Sequence, residues 1–222
     1  DKHVPSKVAD FLKLPLTQVT YNGKPVIVEG GAIDVNGKGT LLTSEECLMH
    51  PSIQVRNAHF TKADYEAVFK EYLGVTNVIW VGDGIEGDDT HGHIDDLCRF
   101  VNEDTIVTIV EEDKNDSNYQ PLQDNLKRLQ NAKLENGQSP KIVCLPMPKR
   151  LDFEDLRLPA SYANFLILNH CVLVPTFNDS KDRIALNILA DCFPDREIIG
   201  ISATDFIWGF GTLHCLSQQI PI

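Results

Sequence analysis

The sequence predicts an α/β fold assembled from repeated helix–strand units. Three observations carry this reading. Four segments have the apolar spacing of amphipathic helices, each is followed by a β-rich run, and the runs are evenly spaced. They begin near residues 16, 77, 141 and 197, a period of about 60 residues that reads as internal repetition.

In the first unit "PSKVADFLKL" leads into "LTQVTY", and in the second "TKADYEAVFKEYLG" leads into "NVIWVG". Thr61 and Asp64 have capping-box spacing, and Gly74 stands where that helix must stop. The third pairs "LQDNLKRLQNAK" with "KIVCLP", and the fourth "SKDRIALNILADCF" with "EIIGIS". Each unit then predicts a second strand in which polar residues interrupt apolar ones. These are "KPVIVEGG" with Glu29, "GHIDDLCRFV" with His93 and Asp95, "SYANFLILNH" with Asn164, and "GTLHCLSQQ" with Cys215. Around a pseudo-symmetry axis, these side chains would converge. "VNGKGT" is a hairpin signal. "EEDKNDSNY" at 111–119 reads as a solvated loop and "ENGQSP" at 135–140 as a turn-rich connector. Neither resembles a linker, so residues 1–222 are expected to form one domain.

Net charge −12 and a pI near 4.9 disfavour nucleic acid as a partner and suit a cationic small substrate. No apolar run reaches the roughly 18 residues of a membrane span. Six scattered cysteines without a CxxC pair point to a reducing cytoplasm rather than a disulfide scaffold or zinc ribbon. Cys144 and Cys171, within apolar strands, read as small core residues. The opening "DKHVPSKVADFLKL" lacks a signal-peptide pattern. It also lacks Met and starts inside a predicted helix, so further chain is expected ahead of Asp1.

Chemistry concentrates in "GDDTHGHIDD", residues 87–96. Three readings are open. His91, His93 and Asp95 would share one face of an extended strand and suit Zn or Fe. The stretch is otherwise a polar loop, or a place where His93 moves protons and Asp95 holds a cation. Cys215 is either a buried strand cysteine or a nucleophile that needs a cationic neighbour to ionise. His93 is its expected partner, since His214 would face away along a strand. Glu29, after the apolar "VIV", is expected to be partly buried and to need a partner. Gly82, Gly84 and Gly87 spell GxGxxG after a strand. No helix follows and acids would face the phosphate, so a dinucleotide site is rejected.

"VEGGAIDVNGKGTLLTSEECL", "GDDTHGHIDDLCRFV", "SYANFLILNHCVLVPTFND" and "GFGTLHCLSQQIP", in this order, together resemble the agmatine deiminase family. That family belongs to the guanidine-modifying superfamily and is related to bacterial-type peptidylarginine deiminases. The resemblance covers nearly the whole chain. It implies a pentein-type α/β-propeller of five ββαβ-like blades, about four of them within residues 1–222. It implies hydrolysis of agmatine to N-carbamoylputrescine and ammonia, without metal or cofactor. Cys215 matches the nucleophile, His93 the general acid/base and Asp95 the guanidinium-binding carboxylate. Glu29 matches the carboxylate that orients the histidine and binds guanidinium. Asn164 and Asp89 complete the expected substrate-binding set. The family's N-terminal Arg-Asp motif and tryptophan segments have no match here, where the only tryptophans are Trp80 and Trp208. Activity is therefore assigned to the intact protein, for which a homo-oligomer is open. Two alternatives stay open: deimination of arginine or peptidyl-arginine, and a non-catalytic binding module.

Overall fold

The computed structural model describes residues 3–220; Asp1, where the sequence reading placed an unnatural start, lies outside them. Helix α1 (Val4–Leu12) is followed by a hairpin of β1 (Thr20–Tyr21) and β2 (Lys24–Pro25). Asn22 and Gly23 have φ of 50° and 75°, the two left-handed positions of a type I′ turn. The strand expected from Leu16 shrinks to these two residues, because its partner is only the other arm of a tight hairpin.

Three ββαβ-like modules follow. The first contains β3 (Asp34–Val35), β4 (Thr40–Ser44), α2 (Glu45–Met49), α3 (Lys62–Leu73) and β5 (Asn77–Val81). The second contains β6 (Cys98–Phe100), β7 (Thr105–Val110), α4 (Tyr119–Asn131) and β8 (Lys141–Pro146). A small hairpin of β9 (Asp152–Phe153) and β10 (Leu156–Arg157) intervenes. The third contains β11 (Leu166–Ile167), β12 (Cys171–Thr176), α5 (Asp182–Cys192) and β13 (Glu197–Ser202). In each module the short strand pairs antiparallel and the last strand parallel to the central one. A parallel pair needs a long crossover, which the helices provide. Of the four repeats in the sequence, three are therefore complete modules.

Local chemistry sets the helix boundaries. Thr61 and Asp64 form the predicted capping box on α3, and Gly74 closes it at φ 69°. Buried Leu122, Asn125 and Leu129 lie three to four residues apart on α4, and Ala185 and Leu189 on α5, the spacing of one helix face. The larger apolar cluster joins all three modules, including Leu42, Ile79 and Val81 of the first, and the smaller packs α3 against the first sheet around Tyr65 and Phe69. The inner strands are tied by Arg99, which is 2% exposed. Its Nε donates to Asp34 at 2.9 Å, its Nη1 donates to the Phe165 carbonyl at 3.1 Å, and its guanidinium lies over the Phe165 ring.

The polar "second strands" are corrected. Glu29, His93, Asp95 and Asn164 lie just before β3, β6 and β11 rather than on strands, and Cys215 is in a turn. Gly30–Ala32 and Ile94–Asp96 are single 3₁₀ turns. His91 and Gly92 have φ of 58° and 83°, which breaks the extended path needed to align His91, His93 and Asp95 on one face. The 111–119 loop is only partly solvated. Asn118 is buried, and Asp116 grips buried Arg157 at 2.8 and 3.0 Å. Cys144 is exposed and Cys171 half-buried, because β8 is an edge strand with an open outer face and Cys171 begins its strand.

Candidate active site

The turn Gly30–Ala32, the loop 88–96 and the C-terminal segment 209–219 enclose a cavity of about 370 Å3. Glu29, Asp89, His93, Asp95, His214 and Cys215 line it, and no Lys or Arg does so among the described residues.

Asp88, absent from the sequence-level candidates, shapes the loop. Its Oδ2 accepts from the backbone N–H of Gly92 at 2.8 Å and of His93 at 3.1 Å, and its Oδ1 from that of Thr90 at 2.8 Å. Ser44, the N-cap of α2, donates its hydroxyl to the Gly92 carbonyl and accepts from Cys47 N–H. Glycine lets the backbones approach: a Cβ on Gly84 would lie 2.6 Å from Gly92 Cα. Gly84 N–H itself donates to Glu46 at 2.5 Å, so the GxGxxG stretch is a packing loop whose amide is already engaged.

Glu29 has the partner its position required. Arg56, whose side chain is 4% exposed, donates from Nε to Glu29 Oε1 at 2.8 Å. Its other nitrogens donate to the carbonyls of Cys47 at 3.1 Å and Thr90 at 2.7 Å. One guanidinium thus fixes Glu29, α2 and the loop 88–96 together, a geometry Lys lacks. Glu29 Oε2 is left buried without a partner, as is His93 Nε2. Gly31 sits against His93 and Asp95. A Cβ there would fall 2.5 Å from His93 Nδ1 and about 3 Å from both Asp95 carboxylate oxygens.

Asp95 is wholly buried. Its Oδ2 accepts from His214 Nδ1 at 2.7 Å and from the Cys215 sulfur at 3.4 Å, while Oδ1 is buried and unpartnered. Burial opposes its charge. The His214 hydrogen bond and the cationic neighbours outweigh burial and hold this carboxyl below its usual range. Asp96 goes the other way: burial, then the charges of Asp95 and Asp88, push its carboxyl well above the usual range. Adjacent acids are thus pushed in opposite directions, the pattern of a tuned site. The Cys215 thiol is pushed up, first by burial and then by Asp96 and Asp95, with the Asn164 N–H opposing. Asp89 is exposed at the rim, its carboxyl raised by partial burial and by Asp88.

Of the expected residues, Cys215, His93, Asp95, Glu29 and Asp89 share the cavity, while Asn164 is buried behind Cys215 and contacts its sulfur at 3.0 Å. His91 does not line the cavity. Among the described residues, the ligand-type groups that come within 4.8 Å of one another are Glu29–Cys47–His93 and Asp95–Asp96–Cys215, not the His91, His93, Asp95 set. Sequence reasoning missed His214, Arg56, Asp88, Asp96 and Gly31. His214 was misdirected by the strand assumption, since in a turn consecutive side chains can reach one cavity.

A model of the Porphyromonas-type peptidyl-arginine deiminase family matches residues 1–221. The agmatine deiminase of Pseudomonas fluorescens is 33% identical over an alignment spanning 100% of this chain and 63% of that protein. A solved agmatine deiminase of Enterococcus faecalis superposes with TM-score 0.88 at 32% identity, covering 99% of this chain and 63% of the other. A substrate-bound agmatine deiminase of C. jejuni superposes with TM-score 0.84 at 37% identity, covering 96% and 60%. The chain spans 57% to 63% of the length of the curated relatives it matches.

Proposed function

Because the chain belongs to the Porphyromonas-type peptidyl-arginine deiminase family, we propose that the intact protein hydrolyses agmatine to N-carbamoylputrescine and ammonia. One observation carries the reading: a thiol, two imidazoles and three carboxylates meet in one acidic cavity, with Glu29 Oε2 and Asp95 Oδ1 buried and unpartnered. Unpartnered buried acceptors are costly and call for a donor. A guanidinium supplies planar N–H donors and positive charge together.

In this mechanism Asp95 and Glu29 hold the guanidinium rigidly. The incoming cation counters the acids that keep Cys215 protonated, so substrate binding itself favours the thiolate. The Cys215 proton passes to His93, and the sulfur attacks the central carbon and forms a C–S bond. His93 protonates the departing nitrogen as the C–N bond breaks, releasing ammonia and leaving a thiouronium. His93 then takes a proton from water, whose oxygen attacks the same carbon; the C–S bond breaks and the thiol is restored. In this reading His214 steadies the ionised Asp95 and Arg56 steadies Glu29.

The three modules are read as blades of a pentein-type α/β-propeller, with the strand ends meeting at the cavity. Free cysteines fit the reducing cytoplasm we propose as its compartment. No described helix is long and apolar enough to cross a membrane.

The cavity chemistry selects among guanidines. Without Lys or Arg in its lining among the described residues, it offers the α-carboxylate of free arginine no such cation and three carboxylates. The rival reading, peptidyl-arginine, is favoured by the family's own description and escapes this penalty, because its carboxylate is an amide. Ammonia release from agmatine, arginine and an arginyl peptide by the full-length protein decides among them. Agmatine is expected to exceed free arginine in kcat/KM by at least about a hundredfold, the size of a like-charge penalty of a few kcal/mol. Equal turnover of both removes the selectivity argument, and preference for the peptide installs the rival.

Gly31→Ala tests the packing of the site. Its φ is not left-handed, so the backbone tolerates alanine and the cost falls on His93 and Asp95. The Cβ must displace the imidazole by a large fraction of an ångström. A fall in kcat on the order of tenfold to a hundredfold is expected, with an unchanged melting curve. Unaltered kcat would mean that the imidazole does not work from this position.

A further inference from the structure

Asn164 is wholly buried, and its amide is fully engaged. Its Oδ1 accepts from Thr212 Oγ1 at 2.8 Å and from the backbone N–H groups of His214 at 3.0 Å and Cys215 at 3.3 Å. Its Nδ2 donates to Asp96 Oδ1 at 3.0 Å and to the Cys215 sulfur at 3.0 Å. The amide cannot turn over. Reversed, its oxygen would face a carboxyl oxygen and sulfur, and its NH2 would face two N–H donors. Asp96 is itself anchored, its backbone carbonyl taking the Ser161 hydroxyl at 2.8 Å.

We propose that Asn164, oriented by Asp96, is a positioning residue that fixes the Cys215 turn and presents an N–H to its sulfur, favouring thiolate over thiol. The proposal deepens the deiminase reading and rests on it. Every other ionised acid near the sulfur works against the thiolate. Asp95 contacts it and Glu29 shares its cavity, while the nearby imidazoles are His93 and the Asp95-bound His214. Asn164 donates a hydrogen bond to the sulfur without adding negative charge, as a thiolate requires. Asp96 has a double effect. Its oxygen holds the amide in the useful orientation, and its charge, when present, opposes the sulfur's ionisation.

The test is the pH profile of iodoacetamide alkylation at Cys215 in the full-length, substrate-free protein. It is read on the isolated Cys215 peptide, because Cys144 is also exposed. Asn164→Asp keeps the shape but replaces the donor with a carboxylate. Alkylation at a pH below the midpoint is expected to slow by at least about tenfold, since a hydrogen bond to a charged group is lost, and the midpoint moves up. Asp96→Asn keeps an oxygen for Asn164 and deletes the charge, so the midpoint moves down. If Asn164→Asp does not fold, Asn164→Ser, too short to reach the sulfur, is expected to shift the midpoint up. A residue that is merely structural would lower the melting temperature and leave the profile in place; profiles of Asn164→Asp or Asn164→Ser that coincide with the unmodified protein overturn the proposal. Agmatine turnover is measured alongside. Shifted profiles without turnover would preserve the positioning role and remove the deiminase reading, whereas turnover with unshifted profiles removes the positioning role alone.

Discussion

Cys215→Ala in the full-length protein is expected to abolish ammonia release from agmatine, a loss on the order of 10⁶-fold if it behaves as other covalent nucleophiles do. The size follows from the chemistry. The guanidinium carbon is a poor electrophile, and water without the sulfur must attack it directly in one difficult step. Binding is expected to survive, because Glu29 and Asp95 remain and no charge is removed from the resting site. Agmatine should therefore still raise the melting temperature of the variant. Turnover in the variant within tenfold of the unmodified protein would remove the covalent mechanism. Loss of both binding and turnover would mean that the sulfur's role is to hold the cavity open.

His93→Ala is expected to lower kcat by about 10² to 10⁴, the range for one acid–base group. It should also change which species accumulates. In the proposed mechanism His93 serves both halves of the reaction, so thiouronium that does form is not expected to be hydrolysed at the normal rate. Mass spectrometry of the quenched variant should find the Cys215 peptide carrying the amidine adduct. A variant that slows without ever accumulating adduct would confine the imidazole to the first half. The Gly31→Ala effect is smaller because it displaces the ring and does not remove it.

The periodic part of the fold was legible in the sequence. Helices α3, α4 and α5 and the strands after them follow directly from apolar spacing, capping at Thr61 and the stop at Gly74. The site's members were legible as residue types, but its geometry was not. Alternation along an imagined strand put His91 beside His93 and turned His214 away. The real path bends at His91 and Gly92, and the bend is written in contacts from Asp88 and Ser44 that are distant in sequence or unremarkable in type. The division of labour between Asp95 and Asp96 was equally invisible, since identical side chains differ only through His214, Asn164 and depth of burial. Arg56 gave no signal, because a lone arginine in "QVRNAHF" reads as surface until Glu29 and Thr90 are placed around it.

Arg99 links three parts of the chain that also share the larger apolar core. Its single planar cation is shared between the entry of β3 and the residue before β11 while it is itself held on β6. Separating any one sheet would strand a desolvated charge, a penalty of several kcal/mol. The modules should therefore melt in concert, and the distance between sulfur and imidazole is guarded by the unfolding barrier of the whole assembly.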